Sequence, residues 1–315
     1  MIISKTPFRV SLFGGSTDYE SFYRKDGATL VYFGLDKYCY AAVRKTPAVF
    51  DYTTKVSYSQ VEIVEDNTKI KNNAVRGVLS FFGMKRGMEI AYITDLPAQT
   101  GVGSSSSFIV GLLKAIYSLQ GDTRSEKQLA LEAIYIERSL LNESGGIQDQ
   151  IAAAYGGLNS IHIFSNGDFD VRPLPVSKDF VKDFLDRSIL IYTGKSRKSF
   201  DIAKSHDGKK KESIARIAKA GLKAFYDQDI TEIGLLLENS WNEKKKISNL
   251  ISNASVDKIY DSLRDDGMIG GKLLGSGGSG FIYGIVEEGR KADFMDLYND
   301  RFIDVGISPV GSIIL

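Results

Sequence analysis

Between a strand-like run and a helix-like run the chain carries Pro97-Ala98-Gln99-Thr100-Gly101-Val102-Gly103-Ser104-Ser105-Ser106-Ser107. Gly101 and Gly103 let the backbone curl until successive N–H groups face one centre, and a helix starting near Ser104 adds the positive end of its dipole. The junction therefore dictates strand, loop and helix in that order, and it forms an anion cradle into which phosphate fits. Its serine hydroxyls can donate to phosphate or ligate Mg²⁺. A capped loop, with the serines competing for the N-cap, fits the same residues. This is no Walker A loop: Gly194-Lys195-Ser196 needs glycine at position 189, which is Ile189. Protein-kinase signatures are also missing, because neither His162 nor His206 opens an HRD sequence.

The surroundings predict mixed rather than alternating structure. Residues 2–13, 29–34, 38–45, 56–64 and 88–94 are short, partly alternating and rich in Val, Ile, Tyr and Phe, as strands require. Helices are expected over 72–83, over 104–119, from Ser125 with its capping box to Gln128, and over about 147–155. A hairpin is expected around Asn166-Gly167. Residues 173–186 mix prolines and charge without a strand period, so the joint between two domains falls near 177, giving 1–177 and 178–315. Beyond it, SILIYTG, FIYGIV and the final VGISPVGSIIL read as strands, and 211–227, 229–251 and 255–266 as helices. Without regular βαβ alternation the fold class is α+β.

Composition excludes several functions. A length of 315 residues favours two domains, and 43% hydrophobic with 25% charged residues is an ordinary soluble globular balance. Forty Lys and Arg against 39 Asp and Glu leave +1, too little to steer nucleic acid or an anionic membrane. One cysteine, Cys39, and two histidines can build neither a disulfide framework nor a zinc cluster, which suits a reducing cytoplasm. The start has no leader pattern, and no apolar run reaches the roughly 18–20 residues of a membrane span, so export and insertion are not expected.

Other constellations carry chemistry. A second cluster, Gly270-Gly271-Lys272-Leu273-Leu274-Gly275-Ser276-Gly277-Gly278-Ser279-Gly280, contains a formal G-x-G-x-x-G, but a strand follows it, so the dinucleotide reading fails. Six glycines in eleven residues exceed what a turn needs, and the surplus points to backbone approaching a ligand. Glu137 falls in the apolar stripe of the helix after Ser125. There a carboxylate needs Mg²⁺, a basic partner or a shifted pKa. Asp149 sits at a helix start, where capping is routine. Arg9, on an apolar strand, can hold a carboxylate or steady developing negative charge, and Asp18, after a glycine turn, can chelate sugar hydroxyls. The runs Lys209–Lys211 and Lys244–Lys246 read as solvated helix faces.

In order and spacing these pieces resemble the GHMP kinase superfamily, the group of galactokinase, homoserine kinase, mevalonate kinase and phosphomevalonate kinase. Residues 97–106 match its second motif, with Val102 for Leu and Ser106 for Ala, while 7–18 and 270–281 match its first and third. Within the group, TPFRVSLFGGSTDY, GGIQDQIAAAYGGLN, YTGKSRKS, SWNEKKKIS and GGKLLGSGGSGF look most like the bacterial D-glycero-D-manno-heptose 7-phosphate kinases. Ser16 and Ser279 stand where glycine is expected. The resemblance implies an N-terminal domain like domain 2 of ribosomal protein S5, a ferredoxin-like C-terminal domain and an active site in the cleft between them. It implies ATP and Mg²⁺ as cofactors. The loop of Pro97, Gly101, Val102, Gly103, Ser104, Ser105 and Ser106 would wrap the ATP phosphates, and Ser105 and Glu137 would share the metal. Asp149 would take the proton from the attacking hydroxyl, and Arg9 would stabilise the transferring phosphoryl group. Gly15, Thr17 and Asp18 would meet the sugar, Gly275, Gly277 and Gly278 would close over it, and Arg197 and Lys198 would hold a distal phosphate, with Lys195, Lys244 and Lys245 as further candidates. The implied reaction phosphorylates the C1 hydroxyl of heptose 7-phosphate. The alternatives are a GHMP kinase acting at C1 of fucose or galactose, or a non-catalytic sugar sensor. Partners are then a sugar phosphate and ATP, with no nucleic acid or membrane, and a homodimer stays open.

Overall fold

The computed structural model describes residues 1–194 and 211–315, so the expectations placed on Lys195, Arg197, Lys198, Lys209 and Lys210 lie outside the described residues. The strands divide between two sheets. The first contains β1 (Ile2–Phe13), β2 (Ala28–Lys45), β3 (Thr54–Ser57), β4 (Val61–Val64), β5 (Met88–Thr94), β6 (Leu158–Ile163), β7 (Phe169–Pro173) and, from the end of the chain, β12 (Ile313–Ile314). Its order is β12-β1-β2-β5-β3-β4, with β6 pairing with β2 and β7 with β6. The second sheet contains β8 (Ser188–Tyr192), β9 (Met268–Leu273), β10 (Phe281–Val286) and β11 (Phe302–Ile303), in the order β11-β8-β10-β9. Mixed helices and sheets without βαβ alternation make the fold α+β, as expected.

Several local outcomes differ from the sequence reading, among them the final strand, which is only Ile313–Ile314, and the helix expected over 229–251, which ends at Lys245. The two strands expected at 29–34 and 38–45 are one, β2, because a register shift opposite Pro7 and Phe8 absorbs the break around Leu35–Lys37 and lets the strand run on. The single strand expected at 56–64 is the β3–β4 hairpin. Residues 178–186, read as part of a joint, form the helix α6 (Lys178–Asp186). Ser177 accepts from the Phe180 amide as its cap, and Phe180 and Phe184, one turn apart, bury its apolar stripe.

The helices that shape the cleft are α3 (Ser104–Leu119), α4 (Glu126–Tyr135), α5 (Gln148–Tyr155) and α8 (Ile230–Lys245). The main core spans both sheets: the Phe33 ring meets Tyr283 at 5.7 Å and Phe184 at 6.2 Å, all three fully buried. A second cluster, including Trp241, Ile191 and Leu263, packs around the second sheet. The final strand returns to β1, with Ser4 opposite Ile314 and Lys5 opposite Ile313.

Candidate active site

A cavity of about 950 Å³ lies between the two sheets. On one side it meets the start of α3. Gly103 is the N-cap, with a left-handed φ of 76° and no side chain to satisfy the first-turn amides. The serines therefore do not cap this helix, and its positive end faces the cavity beside Gly101, Gly103, Ser104, Ser105 and Ser106. Two residues expected to touch the ligand do not line it. Val102 is fully buried because its side chain is apolar and belongs to the core, and its carbonyl accepts from the Arg9 amide at 3.1 Å. Pro97 shapes the loop instead, its carbonyl accepting from the Thr100 hydroxyl at 2.7 Å.

Arg9 and Asp149 meet at the centre. Arg9, only 4% exposed on β1, donates through Nε to Asp149 Oδ1 and through Nη2 to Oδ2, both at 2.8 Å. Its Nη1 donates to the Gly101 carbonyl, tying the pair to the glycine loop. Asp149 does not cap α5; Ile147 holds that position. Its side chain stays 31% exposed and lines the cavity, a fork-to-fork geometry that fixes a carboxylate while leaving a face open.

Glu137 lies in a short π-helical turn (Ile136–Leu140) that extends α4, a distortion frequent at functional sites. It is 3% exposed. Oε2 accepts from Gln150 Nε2 at 2.6 Å and from Arg138 Nη2 at 3.1 Å, whereas Oε1 is buried with no hydrogen-bond partner among the described residues. Burial pushes its pKa up to about 7, against the opposing pull of Arg138 and the Ser106 hydroxyl. The orphan oxygen fits Mg²⁺, because a carboxylate with the Ser105 and Ser106 hydroxyls lining the same cavity is a hard oxygen set. Among the described residues no cluster of three acidic, His or Cys side chains forms a metal cage, so such an ion would complete its shell on phosphate and water.

Asp18 is buried at the first glycine turn. Oδ1 accepts from the Ser16 amide at 3.1 Å and Oδ2 from the Gln148 amide at 3.0 Å, clipping this turn to the start of α5. Burial raises its pKa. Gly15 and Asp18 line the cavity, but Thr17 does not: it is fully buried, and its hydroxyl donates to the Gly14 carbonyl at 2.7 Å. Ser16 has a φ of 79°, the region that glycine tolerates best, whereas Ser279 has no positive φ.

The third motif also departs from expectation. Gly275 and Gly277 line the cavity and Gly278 does not. The glycine surplus serves backbone contact with protein: a Cβ on Gly275 would strike Gly101, one on Gly280 would strike Thr100, and one on Gly277 would come within 2.7 Å of the Ile251 carbonyl. The two glycine loops thus touch across the cleft. The lysine runs are corrected too. Lys244 is 6% exposed, since its place on α8 faces β9 and not solvent, and it donates to the carbonyls of Leu273 at 3.3 Å and Gly275 at 2.5 Å. Lys211 is buried over the Tyr19 ring, 4.2 Å from its centroid.

Sequence reasoning missed Lys272, 4% exposed on β9, which lines the cavity and donates to the Leu12 carbonyl at 3.1 Å. The signal that flagged Arg9, one cation in an apolar strand, was present in MIGGKL. It also assigned nothing to Tyr58, Asn72, Tyr92 and Phe108, which line the cavity; the Tyr92 and Phe108 rings lie 4.4 Å apart.

A glycine loop and bare helix end beside a held carboxylate define a small-molecule phosphotransferase. Family models agree: the GHMP kinase N-terminal domain matches residues 69–157 and the GHMP kinase C-terminal domain residues 222–296. The chain belongs to the GHMP kinases and is an ATP-dependent phosphotransferase acting on an alcohol group. It is 29% identical to the D-glycero-alpha-D-manno-heptose 7-phosphate kinase of Campylobacter jejuni, over 92% of this chain and 91% of that one. It is 27% identical to the galactokinase of Pyrococcus furiosus, over 84% and 72% respectively. The crystal structure of a D-glycero-D-manno-heptose 1-phosphate kinase from Bacteroides thetaiotaomicron matches with a TM-score of 0.81 at 23% identity, over 100% of this chain and 99% of that one.

Proposed function

We propose that the chain transfers the terminal phosphoryl group of ATP to the C1 hydroxyl of D-glycero-D-manno-heptose 7-phosphate, giving the 1,7-bisphosphate for a nucleotide-activated heptose. The observation that carries the chemistry is Asp149, gripped by Arg9 through both oxygens yet open to the cavity beside the uncapped end of α3. The substrate rests on the heptose kinase relative, which parallels nearly the whole chain. The absence, among the described residues, of a helix long and apolar enough to cross a membrane agrees with a cytoplasmic enzyme, where ATP is available.

In this reading the amides of Gly103 to Ser106 bind the ATP phosphates, and Tyr92 and Phe108 flank the base. Asp149 accepts the proton of the attacking hydroxyl. Arg9, held on its other side by the Gly101 carbonyl, meets the charge on the phosphoryl group in flight. Glu137, with Ser105 or Ser106, would hold Mg²⁺, which supplies charge neutralisation between the phosphates. Asp18 orients the sugar hydroxyls. Little else is required, because phosphoryl transfer asks a protein mainly for position and charge.

A second reading, a free hexose phosphorylated at C1, draws on the galactokinase relative. A coupled ADP-release assay across free and phosphorylated hexoses and heptoses separates them. The expected result is the highest kcat/KM on heptose 7-phosphate. Best turnover on free galactose or fucose would replace it with the second reading, and no turnover on any sugar would leave the sensor alternative.

A further inference from the structure

The cavity holds more positive charge than its nucleotide end accounts for. Lys244 and Lys272 line it, are 6% and 4% exposed, and among the described residues bond only to the carbonyls of Leu273, Gly275 and Leu12. Among the described residues neither has a carboxylate within ion-pair distance. Asp149 is committed to Arg9, and Asp18 to two backbone amides. A buried ammonium satisfied by neutral carbonyls alone keeps most of its desolvation cost, and two of them facing one cavity call for an anion. The phosphates of ATP already have the end of α3 and the neighbourhood of Glu137. The lysines come from the opposite wall. Lys272 is tied to Leu12, three residues beyond Arg9 along β1 and toward the Asp18 turn. Ser240, one helical turn before Lys244, lines the cavity as well.

We propose that Lys244 and Lys272 form the subsite for the phosphate that the acceptor sugar brings with it, distinct from the ATP phosphates. This rests on the reading of the acceptor as a sugar phosphate and assigns its second anion to residues. Each lysine spends one or two of its three N–H donors on carbonyls, so at least one on each is left for phosphate oxygens. A dianion there supplies the counter-charge that both lack. Burial lowers the pKa of both lysines, that of Lys272 to about 7 with the Arg9 field adding to the effect, so an anion that arrives restores their charge.

The test compares heptose 7-phosphate with free heptose on the wild type, Lys244→Met and Lys272→Met. Methionine keeps the length and the apolar stem. Wild type should favour the phosphorylated sugar, and each substitution should erase roughly 10–100-fold of that preference, the worth of one charge-assisted bond. The loss should fall on KM for the sugar phosphate more than on KM for ATP, because this phosphate does not change charge during transfer. Equal use of both sugars by the wild type would overturn the sugar-phosphate reading itself. A wild-type preference that survives in both variants would overturn the lysine subsite alone, as would a loss confined to KM for ATP. Should either variant fail to fold, the wild type still decides: inorganic phosphate should raise its thermal midpoint with a non-hydrolysable ATP analogue already bound. If the analogue abolishes that rise, the lysines face the nucleotide and the proposal falls.

Discussion

The two walls of the cleft treat buried charge in opposite ways. On the wall built from the first sheet two carboxylates are ion-paired, Asp149 with Arg9 and Glu137 with Arg138, while Asp18 has only the backbone amides of Ser16 and Gln148. On the wall built from the second sheet, Lys244 and Lys272 have no ion-pair partner among the described residues and donate to carbonyls. A paired ion holds its geometry before any ligand arrives, which is what chemistry at a fixed atom requires. An ion without a counter-charge carries a desolvation cost that a ligand removes, which makes it a selector of ligands. On the proposed function, the difference separates a wall that reacts from a wall that recognises.

The largest effect should come from cutting the reacting wall at its centre. Asp149→Asn keeps the shape of the side chain but removes the proposed proton acceptor, and kcat should fall roughly 10²–10⁴-fold. The thermal midpoint should fall by a few degrees at most, because solvent at the 31% exposed Asp149 side chain screens the pair, even though the buried Arg9 loses its counter-charge and keeps an amide acceptor. Activity within a few-fold of wild type would reduce the Arg9–Asp149 pair to a structural clasp, and the comparison between the walls would collapse. Unfolding would do the same.

A smaller effect is expected one step outward. Glu137→Gln retains the bonds to Gln150 and Arg138 but withdraws the charge from the orphan oxygen, so the Mg²⁺ concentration for half-maximal rate should rise about tenfold or more, since even outer ligands are worth roughly 10–100-fold in metal affinity. An unchanged Mg²⁺ titration with altered stability would return Glu137 to a plain buried ion pair with Arg138.

Much of the reacting wall was legible because its residues break local rules. Glycines before a helix, an arginine in an apolar strand and a glutamate in an apolar stripe each demand a reason close at hand in sequence. Gln150 and Arg138 stayed invisible because their roles depend on a π-helical turn that no periodicity announces. The recognising wall was harder to read. Lys244 sits in Lys244-Lys245-Lys246, a run that looks solvated; only the packing of α8 on β9 buries one of the three. The glycines at 275–280 signalled close approach correctly, but not that the approach was to Gly101 and Thr100. Which backbone meets which across a cleft is a tertiary fact. The expected strand breaks failed for a related reason: a bulge in β2 and a capped helix after Ser177 settle in pairing and packing what the local pattern leaves undecided.

The smallest predicted effect is the one that tests the contrast most directly, because it gives the two walls opposite signs. Glu137 has its pKa raised from 4.5 to about 7 by burial, so between those values the folded protein holds a proton that the unfolded chain has released. Its contribution to stability is complete below 4.5 and is lost as pH rises through about 7. Lys272 has its pKa lowered from 10.5 to about 7 by burial and by Arg9, so between those values the unfolded chain holds the extra proton. Stability attributable to Lys272 therefore increases as pH rises from about 7 toward 10.5. Thermal midpoints of the ligand-free protein, measured across both windows as variant minus wild type, isolate each group, since Asp18, Lys244, Arg138 and the other neighbours are common to both chains. For Glu137→Gln the difference should move in favour of the variant as pH climbs the lower window. For Lys272→Met it should move against the variant as pH climbs the upper one. Loss of the donor to the Leu12 carbonyl adds an offset that does not depend on pH, so the slope is the readout and not the level. The excursions should reach several degrees, because pKa changes of this size are worth a few kcal/mol and about 1 kcal/mol moves the midpoint of a large domain by roughly 2–4 °C. Slopes of the same sign, or a flat Lys272→Met difference, would mean that Lys272 is not held as an uncompensated cation, and the second wall would lose the property that sets it apart.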